Sequence, residues 1–378
     1  MKRFALKATV IVAAAALTLT GCAGERGDTA PAEGGASTGA SEEATTGFAA
    51  DATIGVALPD KTSENWVLAG DLFTEGLEAA GFKADVQYAP ASNTVAEQQN
   101  QISAMVTNGA KVIIIGAKDS KQLSTQLQAA ADAGVKIIAY DRLLENSENV
   151  DYYVAFDNFK VGQLQGQALL EGLEARSGHA APWNIELFSG SPDDPNASVF
   201  FDGAMEVLQP KIDDGTLVVV SGQTDVQQTA TQGWKAENAQ SRMDTLLAAN
   251  YTSATLDGVL SPNDTLARAV ITSVKQGGKD IAAFTVTGQD SEVESVKSIM
   301  AGEQFSTINK DTTLLVAETI GMVETLQKGE EFPTDAVTNN GVIDVPSYFL
   351  EPVIVTKENA AEAYASLPSL LEIVNAAG

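Results

Sequence analysis

From residue 53 onward, apolar runs of strand length alternate with apolar positions at helical spacing. Residues 54–58 form the first run, after which Trp66, Ala69, Leu72, Phe73, Leu77 and Ala80 recur three and four apart up to Gly81. That period marks a helix with one buried face and a glycine stop. The same reading predicts strands over 84–88, 111–116, 135–139 and 152–156, with helices over 95–107 and 120–133. At Phe159 the alternation restarts: helix to about residue 173, strand 184–188, helix 197–208, strand 217–221, helix 234–249 and strand 258–260. Helix 265–275, strand 283–286, helix 291–300 and strand 304–308 follow. A long helix over 313–328, short strands near 341–344 and 353–355 and a terminal helix end the chain. Strands separated by helices of this length pair in parallel and are covered on both faces. Two such halves in succession predict an α/β fold of two parallel-sheet lobes with a cleft between them. No close internal sequence repeat accompanies the two halves.

The chain is organised around residues 135–143, V-K-I-I-A-Y-D-R-L, an apolar strand that ends in an acid and a base. Ligands of open α/β sheets bind beyond the carboxyl ends of the strands, where Asp141 and Arg142 stand. Other strand ends carry similar groups: residues 60–66 (with Trp66), Asp157-Asn158, residues 189–196, Ser261-Pro262-Asn263-Asp264, Thr287-Gly288-Gln289-Asp290 and Asn309-Lys310-Asp311. Carboxylates, amides and cations together suit a ligand made of hydroxyls, each of which donates and accepts. Trp66 and Trp234 offer flat apolar faces for the C–H side of a small polyol, and read equally as core packing. Asp, Asn and Ser at such junctions also act as helix N-caps, and Asp264, directly before a helix, reads as one. Asp193-Asp194 reads as a solvated turn rather than an acid–base pair.

The first residues stand apart from the fold. Lys2, Arg3 and Lys7 precede an apolar stretch over 10–17, too short to span a bilayer, and Leu19-Thr20-Gly21-Cys22 follows; this is a secretory signal over 1–21. Cys22 is the only cysteine, so no intrachain disulfide forms. Its setting is similar to the lipobox of bacterial lipoproteins, with Cys22 as the lipidated residue and the membrane as a partner through that anchor. Residues 22–50, rich in Gly, Ala, Ser, Thr, Pro and Glu, read as a flexible tether. The net charge of −27 becomes −30 once Lys2, Arg3 and Lys7 are removed. A surface of that sign repels phosphate backbones and excludes nucleic-acid binding.

Signs of catalysis are few. His179 is the only histidine and sits in a loop, with no G-x-S-x-G elbow elsewhere. No Cys/His spacing suits a transition metal, and no phosphate or dinucleotide loop opens a helix. The reading is a non-enzyme without a cofactor.

Seven motifs in order carry a resemblance: Ala139-Tyr140-Asp141-Arg142-Leu143; Phe156-Asp157-Asn158; the 184–188 strand with Gly190-Ser191-Pro192-Asp193-Asp194; Phe201-Asp202-Gly203-Ala204-Met205; Leu260-Ser261-Pro262-Asn263-Asp264; Gly288-Gln289-Asp290; and Ser306-Thr307-Ile308 before Lys310-Asp311. Over residues 54–359 the chain resembles the periplasmic sugar-binding proteins of ABC importers, closest to the xylose-binding and multiple-monosaccharide-binding group. The resemblance implies the type I periplasmic-binding-protein fold, with hinge crossings near Asn158, Lys310 and Asp344. The lobes would be residues 51–157 with 311–344, and residues 158–310 with 345–378. It also implies sugar contacts at Trp66, Asp141, Arg142, Asp194, Asn196, Trp234, Asn263, Asp290 and Lys310. Asn65 stands where relatives often carry a basic residue, which favours neutral pentoses or hexoses over uronic acids. The implied protein is an extracytoplasmic, lipid-anchored monomer that delivers a xylose-, glucose- or galactose-type monosaccharide to an ABC permease. A sensory partner of a membrane receptor and a secreted carbohydrate-active enzyme are the alternatives.

Overall fold

A computed structural model describes residues 47–91 and 95–377. The signal over 1–21, Cys22 and the tether up to residue 46 lie outside the described residues. In chain order the elements are β1 (Thr53–Leu58), α1 (Glu64–Ala79), β2 (Lys83–Tyr88), α2 (Val95–Thr107), β3 (Val112–Ile115), α3 (Ser124–Asp132), β4 (Lys136–Tyr140), β5 (Tyr152–Phe156) and α4 (Asn158–Arg176). Then come β6 (Trp183–Leu187), α5 (Pro195–Asp213), β7 (Leu217–Val219), α6 (Ala236–Asn250), β8 (Gly258–Leu260), α7 (Asp264–Gln276), β9 (Thr285–Val286), α8 (Val293–Met300) and β10 (Ser306–Asn309). The chain closes with α9 (Thr312–Gln327), β11 (Ala336–Asn339), β12 (Asp344–Leu350), β13 (Val353–Thr356), α10 (Ala360–Ala363) and α11 (Pro368–Ala377).

The first sheet has seven strands in the order β11-β12-β5-β4-β3-β1-β2, parallel except for the edge strand β11. Successive residues of β3 enter different cores. Val112 and Ile114 pack with Phe73 and Leu77 of α1, while Ile113 and Ile115 pack with Ile102 and Met105 of α2. A strand buried on both sides must be apolar throughout, and Val-Ile-Ile-Ile is. The second lobe repeats the scheme in a four-stranded parallel sheet, β7-β6-β8-β9, beside the antiparallel pair β10-β13. In both lobes the first strand of the unit lies between the second and the third. Such an inversion of order opens a crevice at the strands' carboxyl ends.

Several expectations need correction. The third crossing is not near Asp344: β12 continues to Leu350, paired in parallel with β5 from Ser347↔Tyr153 to Leu350↔Phe156. The chain leaves the first sheet only at Glu351-Pro352, so residues 345–350 belong with the first sheet. Residues 341–343 form the turn into β12 rather than a strand. The tether stops short of residue 50, because the Phe48 N–H donates to the Gln327 carbonyl at 3.1 Å and its ring packs on Phe82. Gln232–Trp234 is a separate 3₁₀ turn before α6, and α3 begins at Ser124 rather than at 120. No helix among the described residues is long and apolar enough to cross a membrane.

Candidate functional site

The carboxyl ends of β1, β3 and β4 in the first lobe face those of β6, β8 and β9 in the second across a cavity of about 90 Å³. That is smaller than the engineered cavity of about 150 Å³ that takes up one benzene ring, so the space excludes a chain of rings and would have to widen to admit a single one. All nine cleft residues expected from the sequence line it.

Asp141 follows β4 with φ +61°, a left-handed conformation that Asp tolerates better than most residues. Its N–H donates to the Val154 carbonyl at 2.8 Å, and its own carbonyl accepts from the Tyr153 hydroxyl at 3.1 Å. Those bonds turn the carboxylate into the cavity, 3.8 Å from Lys310 Nζ. Arg142, buried beside it, donates from Nη1 to the Ala117 carbonyl at 2.9 Å and lies 5.3 Å from the Trp66 ring centre. Its Nε is 2.8 Å from Asp194 Oδ2, without the alignment of a hydrogen bond.

Across the cleft, Asp194 caps α5, accepting from the Asn196 N–H at 2.9 Å, and accepts from Trp234 Nε1 at 3.1 Å. Burial pushes its carboxyl above the ordinary value, against the pull of Arg142. Asn196 Nδ2 donates to the Asp141 carbonyl at 2.9 Å, a direct bond between the lobes. Asn263 is the N-cap of α7, its Oδ1 accepting from the Leu266 N–H at 3.0 Å. Its Nδ2 has no hydrogen-bond partner among the described residues.

Asp264 is therefore not the cap. It lies inside the helix, fully buried, and accepts from the Glu292 N–H, Gln304 Nε2 and Thr307 Oγ1. That bracing holds the Asp290-Ser291 turn, where both residues have positive φ. Asp290 lies 3.1 Å from Lys310 Nζ, and burial raises its pKa despite that cation. Burial opposes the charge on Lys310, but Asp290 and Asp141 outweigh it and the Lys310 pKa is raised.

Both tryptophans are half-buried cavity walls as well as packing groups. Trp66 meets Tyr140 edge-on at 6.1 Å. Each indole is seated on a glycine: a Cβ on Gly116 would overlap the Trp66 ring, and one on Gly190 the Trp234 ring. Asp157 and Asp311 cap α4 and α9 and do not line the cavity. His179 lies away from it, 3.1 Å from Asp257.

Sequence reasoning left out other lining groups. Lys118, just beyond β3, is buried in a 2.5 Å ion pair with Asp60, and Gln289, Thr265 and Thr312 complete the polar wall. Since β3 neighbours β1 at the inversion of strand order, the strand-end rule applied to it would have found Lys118. Two further contacts close the seam between the lobes at the cavity's edge, where Ser63 is part of the wall. Ser63 Oγ donates to Glu292 Oε1 at 3.0 Å, and the Val293 N–H at the start of α8 donates to Glu64 Oε2 at 3.0 Å. No group of three or more His, Cys, Asp or Glu side chains able to hold a metal occurs among the described residues.

Comparison with known proteins gives matches over most of the chain. The profile of the periplasmic binding protein domain matches residues 54–331. The multiple sugar-binding periplasmic receptor ChvE of Rhizobium radiobacter is 50% identical over 311 residues, 80% of this chain and 86% of that protein. The D-xylose-binding periplasmic protein of Escherichia coli is 35% identical over 304 residues, 80% of this chain and 86% of that one. A solved ABC transporter solute-binding protein from Clostridium phytofermentans with bound β-D-glucose superposes with a TM-score of 0.79 at 39% identity, covering 84% of this chain and 99% of that one.

Proposed function

The chain belongs to the periplasmic binding protein family, and from that premise we propose that it captures one neutral monosaccharide in the interlobe cavity and hands it to an ABC permease. The observation that carries this reading is the cavity wall itself. Gln289 Oε1 is buried there without a partner, while Arg142 Nε and Asp290 Oδ1 are met only by the misaligned ion-pair contacts of Asp194 and Lys310. Buried polar atoms are otherwise almost always paired. A hydroxyl, which donates and accepts at once, satisfies an unpaired donor and unpaired acceptors in one small volume. The indoles of Trp66 and Trp234 supply apolar faces for the ring's C–H groups.

Hydrogen bonds to charged groups contribute on the order of 1.5–3 kcal/mol each. Asp141 and Arg142 come from one lobe, Asp194, Asn263 and Asp290 from the other. A ligand touching both sets binds the closed arrangement more tightly than any open one, which is the differential affinity that closure requires. Every lining cation already faces an acid: Lys118 faces Asp60, Arg142 faces Asp194, and Lys310 faces Asp290 and Asp141. A uronate carboxylate would meet no spare positive charge, and Asn65 adds none, so neutral pentoses and hexoses are favoured.

The way two of the lining acids are engaged supports binding rather than turnover. Asp194 is engaged by its cap, Trp234 and Arg142, and Asp193 accepts from Ser191 Oγ and Gln232 Nε2. Neither is left to act as acid or base. The signal segment and Cys22 support an extracytoplasmic location with a lipid tether.

Calorimetric titration with D-xylose, D-glucose, D-galactose and D-glucuronate tests the reading. One site per chain for at least one neutral sugar, with D-glucuronate much weaker, is expected. Failure of all the neutral sugars, or release of a chemically altered sugar, contradicts it.

A further inference from the structure

Four glutamines are buried among the described residues: Gln98, Gln165, Gln289 and Gln304. Three act as braces. Gln98 donates to the Ala57 and Gly116 carbonyls and accepts from the Lys118 N–H. Gln165 donates to the Pro262 and Gly288 carbonyls, and Gln304 to Asp264 and the Ser306 carbonyl. None of these three lines the cavity. Gln289 does, and it is the one of the four whose amide makes no side-chain hydrogen bond among the described residues, at 2% exposure.

Its backbone needs no help from that amide. The Gly288 carbonyl accepts from Gln165, the Gln289 carbonyl from the Asp264 N–H at 3.1 Å, and the Asp290 N–H donates to the Ile308 carbonyl at 2.9 Å. The turn is thus fixed on both sides while the side chain is left unpaired in the wall beside Asp290. An unpaired buried amide weakens a fold, so a structural role does not account for it.

The geometry points to Gln289 as a further sugar contact that sets specificity, its amide reading one ring hydroxyl next to the group held by Asp290. This rests on the monosaccharide reading above. A site built to pair with a hydroxyl discriminates against an analogue lacking it, because its own polar group is then stranded. Gln289 would therefore help to select among sugars that differ at one carbon, with no change in charge.

The test is calorimetric titration of the wild-type protein and of Gln289→Met and Gln289→Leu. The ligands are D-glucose, D-xylose and D-galactose, then the monodeoxy analogues of whichever binds most tightly. Gln289→Met is expected to weaken the parent sugar about tenfold or more, and to bind one deoxy analogue as tightly as the wild type does. Its ligand-free melting temperature is expected to equal or exceed that of the wild type. Unchanged affinity, an equal loss on every analogue, or lowered ligand-free stability in both variants overturns the inference. Wild-type protein that binds none of the three sugars overturns the functional reading itself, and this inference with it.

Discussion

Three of the five non-glycine residues with positive φ among the described residues line the cavity: Asp141 at +61°, Trp234 at +55° and Asp290 at +96°. Such conformations cost of order 1–3 kcal/mol each and persist where the surroundings over-determine them, commonly at functional sites. At Asp141 this separates backbone from carboxylate. Asp141→Asn keeps a residue suited to the left-handed region, so it is expected to cut sugar affinity at least tenfold while shifting the melting temperature little. Asp141→Ala is expected to lose the same affinity and melt lower as well, which calorimetry and thermal unfolding resolve. Equal melting in the two variants would count against strain at this position. Acidity acts at the same scale. Burial raises the pKa of both Asp194 and Asp290 above the ordinary aspartate value of about 3.9. The ionised acids accept from hydroxyls, so affinity is expected to be level near neutrality and to fall before the pH reaches about 3.9. For folding the sign is opposite. A carboxyl with a raised folded pKa contributes stability that is present below its unfolded value and lost as pH rises through the folded one. Mild acidification should therefore weaken binding, measured by titration at stepped pH, before these two acids weaken the fold. The strand-end acids and amides were legible in the sequence because apolar runs stop abruptly at them. The positive-φ turns were not, since Trp seldom adopts positive φ and most aspartates, though they tolerate it, do not.

At the level of elements, the alternation of apolar period located the core strands and helices because the central strands β1, β3, β4 and β5 are buried on both faces. The third crossing was misplaced for a physical reason. Pro346 interrupts the run over 344–350, and a proline lacks the N–H of a ladder, yet β12 accommodates it where the strand pairs with the edge strand β11 before passing to β5. Likewise, Asn263 rather than Asp264 caps α7, because Asp264 is drawn into a buried network that only the folded chain assembles. The seam between α1 and α8 offers a test at this scale. Ser63–Glu292 and Glu64–Val293 join the lobes at the edge of the cavity, of which Ser63 alone among these four forms part of the wall. Contacts of this rim type are worth about 0.2–1 kcal/mol. The double variant Ser63→Ala, Glu64→Gln is expected to speed sugar dissociation by about two- to fivefold in stopped-flow, with a small fall in the ligand-free melting temperature because Ser63 also caps α1. An unchanged dissociation rate would mean that the seam takes no part in holding the lobes together.

For the whole molecule, ligand-linked closure should appear as stability. A sugar at 100 times its Kd adds about 2.7 kcal/mol to the native state, which for a chain of this size raises the melting temperature by roughly 5 °C. Sugars that fail in titration should leave it unmoved. Cys22→Ser is expected to abolish incorporation of labelled fatty acid and release the protein from the membrane fraction; persistence of both would remove the lipid tether. The most direct measurement of the central claim is a crystal structure of the protein grown with the monosaccharide that binds best. One ring should lie between Trp66 and Trp234, with its hydroxyls within hydrogen-bond distance of Asp141 or Arg142 on one side and of Asp194, Asn263 or Asp290 on the other. A sugar bound outside the cavity, or touching one lobe alone, would contradict the account.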